Sequence, residues 1–152
     1  MDYGQKVIAG EFALALKWDE AELKEVVEWA DSLIATMDTP DDDLIEVSLA
    51  NNKADAVTAL NALSVKADEW EIVLALLQRI ARRSSMEPGK ASQLARHLYH
   101  VAMKPDAPKF MAPFCGHWDD IDLAIDGVYG DVDSSVGAFL ADLKEAAQKS
   151  LN

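Results

Sequence analysis

The sequence predicts an all-α protein, a single domain over residues 1–152 built as a bundle of about seven or eight helices. Three observations carry that expectation. Apolar residues recur at three- and four-residue intervals through most of the chain, the period of a helix face. No stretch shows the strict two-residue alternation of a half-buried strand, and no repeat of solenoid length stands out. A chain of 152 residues, 50% of them hydrophobic, has the size and composition of one packed core.

Taken in order, Val7, Ile8, Phe12, Ala15 and Leu16 place a first helix over 5–16. The stripe Leu23, Val26, Val27, Ala30, Leu33, Ile34 and Met37 gives a second. Asp19 is expected to cap it, with Glu22 completing a capping box and Glu20 in the first turn. Thr39-Pro40 reads as a fresh N-cap followed by proline at the first position of a third helix, which ends near Asn51-Asn52. Ala56, Val57, Leu60 and Leu63 mark a fourth over 53–63. The fifth, with Trp70, Val73, Leu74, Leu77 and Ile80, is apolar on most of its surface and is expected to be central. Arg79, Arg82 and Arg83 close it, where cations suit the negative end of the helix. Pro88 opens a sixth over 88–103, with Leu94, Ala95 and Leu98 facing inward. Pro105, Pro108 and Pro113 forbid a continuous helix through 103–118. A short helix then starts at Asp119 and stops at Asp126-Gly127, and a last one starts near Ser134 with Asp133 as its cap.

Charge narrows the function. Asp and Glu number 27 against 14 Lys and Arg, a net of −13. Residues 1–52 carry −10, residues 53–104 carry +3 and residues 105–152 carry −6. Such a chain is repelled by nucleic acid and steered towards a basic protein partner. No apolar run approaches the roughly 20 residues of a membrane span, so no membrane partner is expected. The start, MDYGQKVIAGEF, lacks a long apolar stretch before a cleavage site, so no signal peptide is expected. With a single cysteine, Cys115, the plain expectation is a bacterial cytoplasmic protein.

Three groups of residues are candidates for function. The acids Asp41, Asp42 and Asp43 are either solvated caps that suit the positive end of a helix or a docking site for a basic partner. The acids Asp119, Asp120 and Asp122 lie beside the apolar stretch that holds Phe110, Met111, Phe114 and Trp118. Those rings either fold over the bundle and are buried, or form an apolar patch at a partner interface. His97 and His100 stand three apart on the polar face of one helix and could share a metal, with Cys115 and His117 as two further ligands. A looser divalent site through Asp122, Asp126 and Asp131 is the other metal option, since the twelve-residue loop of an EF-hand is absent. No cofactor is called for. The chain holds no Gly-rich phosphate loop, G-x-S-x-G, H-E-x-x-H or C-x-x-C. An enzyme is therefore the less favoured class, with a metal-dependent one using His97 and His100 as the alternative.

The segments Glu25–Ile34 (EVVEWADSLI), Asp43–Ala50 (DLIEVSLA) and Asp119–Asp131 (DDIDLAIDGVYGD), with the Pro40 turn, carry a resemblance. Together they are about a third of the chain, and they are similar to small acidic helical bacterial proteins, some of which resemble the immunity proteins that accompany polymorphic toxins. The resemblance implies an acidic protein that binds and blocks a cognate toxin. It brings no catalytic residues with it.

Overall fold

A computed structural model of the protein describes residues 1–149. Among them it is all-α, with eight α-helices, one 3-10 segment and no strand. The helices are α1 (Tyr3–Lys17), α2 (Leu23–Ile34), α3 (Asp42–Ser48), α4 (Lys53–Leu63), α5 (Glu69–Ile80), α6 (Pro88–Ala102), α7 (His117–Ile125) and α8 (Val132–Ala147). The 3-10 segment, Lys109–Cys115, precedes α7. The chain gathers into two compact units, the first Met1–Leu76 and the second from Leu77 onwards, and the division falls within α5.

In the first unit α1 packs on α4, α4 on α3, and α3 on α2. Helix α1 starts at Tyr3, two residues before the expected start at residue 5, because Asp2 and Gln5 form a reciprocal cap. Gln5 N donates to Asp2 Oδ1 at 2.8 Å and Asp2 N donates to Gln5 Oε1 at 2.9 Å. Its inward face is Ala9, Phe12, Ala13, Ala15 and Leu16, all buried. The small residues let another helix come close. A Cβ on Gly10 would lie 2.8 Å from Ile72 Cγ1 of α5. Asn52 caps α4, its Oδ1 accepting from Asp55 N at 2.9 Å, and Ala56, Ala59, Leu60 and Leu63 form the buried face.

Two expected caps are reassigned. Asp19 does not open α2; it closes α1. Its φ of 56° is left-handed, Glu20 N donates to Ala15 O at 2.7 Å, and Asp19 N donates to Leu16 O at 3.4 Å. Those two bonds are a Schellman end, with an aspartate where glycine is usual. Lys53 Nζ reaches Asp19 Oδ1 at 2.6 Å. Helix α2 starts later, after Glu22, which makes no side-chain cap bond. Likewise α3 has Asp41 at its N-cap, so Thr39-Pro40 lies outside the helix.

In the second unit α6 packs on α7, the 3-10 segment and α8, and α7 packs on α8. Proline opens α6 as expected. Ala91, Leu94, Ala95 and Leu98 are its buried face. The stretch 103–118 is more regular than its prolines suggest. Pro108 stands at the N-cap of the 3-10 segment, where no N–H is needed and its carbonyl accepts from Met111 N at 3.0 Å, and Pro113 is accommodated in the looser three-residue ladder. Helix α7 starts at His117, two residues before the expected Asp119, so Asp119 and Asp120 occupy its first turn. Helix α8 is capped by Asp131 rather than Asp133, the carboxylate accepting from Ser134 N at 2.9 Å.

Candidate functional site

The acidic turn of the first unit is on the surface. Asp41, Asp42 and Asp43 are all exposed, with Asp42 and Asp43 in the first turn of α3, where they complement its positive end. Asp41 Oδ2 also stands 3.8 Å from the amino terminus of Met1. The three aspartates line a shallow groove that also holds Lys6 and Lys66.

The aromatic group of the second unit divides. Phe114 is fully buried, edge-on to Phe139 of α8 with ring centres 6.2 Å apart. It belongs to the core and offers nothing to a partner, which corrects its place among the interface candidates. Burial of a ring this size contributes about 1.5–3 kcal/mol, so the core outcompetes the surface for it. Trp118 and Phe110 are half-buried. Trp118 stands 5.4 Å from Tyr99 and 5.9 Å from His100, and the Arg96 guanidinium lies 5.6 Å from its ring centre. Its surface is thus largely taken up by neighbours from α6.

The candidate acids differ in the same way. Asp119 and Asp120 are exposed, whereas the Asp122 carboxylate accepts a hydrogen bond from the Ser92 hydroxyl and ties α7 to α6. Among the described residues no three His, Cys, Asp or Glu side chains converge to hold a metal. His100 lies edge-on to Tyr99, Cys115 is exposed, and His117 is nearly buried with Nε2 2.6 Å from Asp142 Oδ2. The residues of both metal options are therefore distributed over different environments.

A separate apolar surface, which the sequence did not single out, lies a few residues further on. Leu123, Ile125, Val128 and Tyr129 are exposed, the last two by 72% and 75%. Leu123, Val128 and Tyr129 are brought together by the turn that ends α7. Gly127 takes a φ of 70°, its N–H donates to Ala124 O at 3.1 Å, and Val128 N donates to Leu123 O at 3.0 Å. This second Schellman end brings Val128 beside Leu123, and Tyr129 N also donates to Leu123 O, at 3.2 Å. Tyr129 lines a groove of about 430 Å³ with Asp120, Asp131, Ser134 and Ser135. Backbone and side-chain hydrogen bonds from Ser134 hold the Asp131 carboxyl below the usual carboxylate range, so it stays charged. Asp120 and Asp131 border this apolar knob at the groove, and Asp119, Asp126 and Asp133, near it in sequence, are also exposed.

The signal for the knob was present as apolar residues on both sides of Asp126-Gly127. The helical period identified α7 without showing which of its apolar residues the other helices would cover. No family model, curated protein or solved structure matches the chain. No helix among the described residues is long and apolar enough to cross a membrane.

Proposed function

We propose that the protein is a protein-binding module that recognises a basic partner, in its most concrete form an immunity protein that neutralises a cognate toxin. The observation that carries the reading is the knob at the end of α7. Four large apolar side chains are exposed within seven residues, three of them brought together by a fixed turn and bordered by carboxylates. Apolar patches with a polar rim are the form protein interfaces take, with aromatic anchors contributing most of the affinity. The acidic rim and the net charge of −13 select a basic partner and speed its approach. Asp41, Asp42 and Asp43 add a second acidic surface in the first unit, one that acts on approach rather than on grip.

The test is affinity capture from the native host's lysate, run in parallel with the wild type and a Val128→Ser/Tyr129→Ala variant. The wild type is expected to retain a basic protein that elutes stoichiometrically as salt rises. The variant is expected to lose at least about tenfold in affinity for it, as truncating an aromatic anchor does. Equal retention by both chains would remove the knob from the interface. If the captured protein is toxic when expressed alone and harmless with the wild-type chain, the immunity form of the reading stands.

A further inference from the structure

The knob leaves a second surface of the molecule unexplained. In the first unit a groove of about 440 Å³ runs between α3 and α4. Its lining includes Ala50, Ala59 and Ala62, whose short side chains leave the space between the helices unfilled. Leu49, at the C-cap of α3, is 67% exposed at its edge. Helix α3 is only seven residues long, and Leu44 and Val47 take up its buried face. Leu49 is therefore a large apolar side chain that the fold itself does not use. Asp43, Glu46 and Asp55 add three exposed carboxylates, and no Lys or Arg is among the lining residues. Asp43 and Glu46 are three apart on one face of α3, and the Asn52 amide fixes Asp55 by donating to its Oδ2 at 2.8 Å.

We infer that this groove docks a cationic amphipathic helix of a partner protein. The arrangement of the charges decides the class of occupant. Three acids gathered around one point would suit a metal ion, but no such group exists among the described residues. The carboxylates instead line the two sides of one groove, Asp43 and Glu46 on α3 and Asp55 on α4, and they suit several cations carried on one partner segment. Lysines or arginines at three- and four-residue intervals on a helix are such a set, and the apolar stripe beside them would face Leu49 and the alanine floor. The α4 residues that line the groove, Asp55 to Ala62, span about 11 Å, so the groove accommodates about two turns of a docked helix. This surface belongs to the other unit from the knob, and the inference does not depend on the knob being an interface.

A synthetic 14-residue helix with Leu and Ala on one face and Lys on the other serves as the probe, with its sequence-scrambled isomer as control. Both are titrated into the whole ¹⁵N-labelled chain at physiological salt and followed by amide shifts. Saturable one-to-one binding is expected, with the largest shifts at Glu46, Leu49, Thr58 and Ala62. The scrambled peptide should bind at least about tenfold more weakly, since it keeps the charge and loses the stripe. Ala62→Trp, which fills an exposed part of the groove, and Glu46→Lys/Asp55→Lys should each weaken binding at least about tenfold with the circular dichroism spectrum unchanged. Equal binding of the two peptides, or no binding, would overturn the inference. Shifts confined to Val128 and Tyr129 would overturn it while leaving the knob in place, and self-association through the groove would assign it to a second copy and overturn it as well.

Discussion

Tyr3 shows how one polar group can join two helices. Its hydroxyl accepts from Asp68 N at 3.1 Å and donates to the Glu71 carboxylate, so the start of α1 is tied to the start of α5 within the first unit. Asp68 also caps α5, its Oδ1 accepting from Trp70 N and Glu71 N at 2.9 and 3.1 Å. The hydrogen bond to Glu71 raises the phenol above its ordinary value of 10.0, and desolvation adds to it. A raised folded-state value means that the unfolded chain releases this proton first as pH climbs. The contribution of the bond is thus fully present below pH 10 and is lost as pH rises through the folded value. Urea unfolding of the wild type and Tyr3→Phe at successive pH values between 8 and 11 measures this. Tyr3→Phe should be the less stable at pH 8, and the difference should shrink towards pH 11. A constant difference would mean the phenol contributes by packing alone. Asp19 and Phe114 show where single residues defeat a reading of the sequence. Asp19 has the right chemistry for an N-cap but is recruited, with a left-handed φ, by the helix before it. Phe114 looks like a loop aromatic until Phe139, 25 residues later, supplies its partner.

Helices were the legible scale because each carries its own period, and 53–63 was placed to the residue as α4. The ends were less legible. Acids at Asp19, Asp41, Asp131 and Asp133 all suit a helix start, and only the backbone geometry chooses among them. The approach of one helix to another was not legible at all, since it depends on pairs far apart in sequence. Gly10 is the case that can be measured. It sits inside α1, where glycine costs about 1 kcal/mol relative to alanine, and it is buried against Ile72 and Ser64. The close approach offsets that cost by packing α5 where a Cβ would stand. Gly10→Val places a branched side chain into Ile72 and should destabilise the protein by about 2–3 kcal/mol, read as a lower urea midpoint. Pairing it with Ile72→Ala, which vacates the same space, should make the two changes cost less together than the sum of their separate costs. Additive losses would show that Gly10 is retained for some reason other than this approach. The candidate sites follow the same division. The acids could be read from the chain, whereas the exposure of Leu49, Val128 and Tyr129 is decided by which apolar faces the other helices cover.

At the scale of the whole molecule, the net charge of −13 sets stability and binding against each other. Ion pairs such as Lys24–Glu28, Lys53–Asp19 and Lys149–Glu145 are between exposed side chains and contribute about 0–1 kcal/mol each. The remaining carboxylates repel one another in the folded state more than in the expanded chain. The screening length is about 30 Å at 0.01 M salt and about 10 Å at 0.1 M, so adding salt removes mainly the long-range repulsion. The urea midpoint should therefore rise between 10 and 300 mM sodium chloride. Chloride salts are the right choice, because sulfate would stabilise any protein by exclusion from its surface. Association with a basic partner should respond in the opposite direction, slowing as the same attraction is screened. A midpoint that fell with salt would mean that the few cations hold the fold through their ion pairs, and that the acidic surface is needed for folding. A midpoint that rose while association slowed would mean that the fold tolerates this surface and the partner uses it.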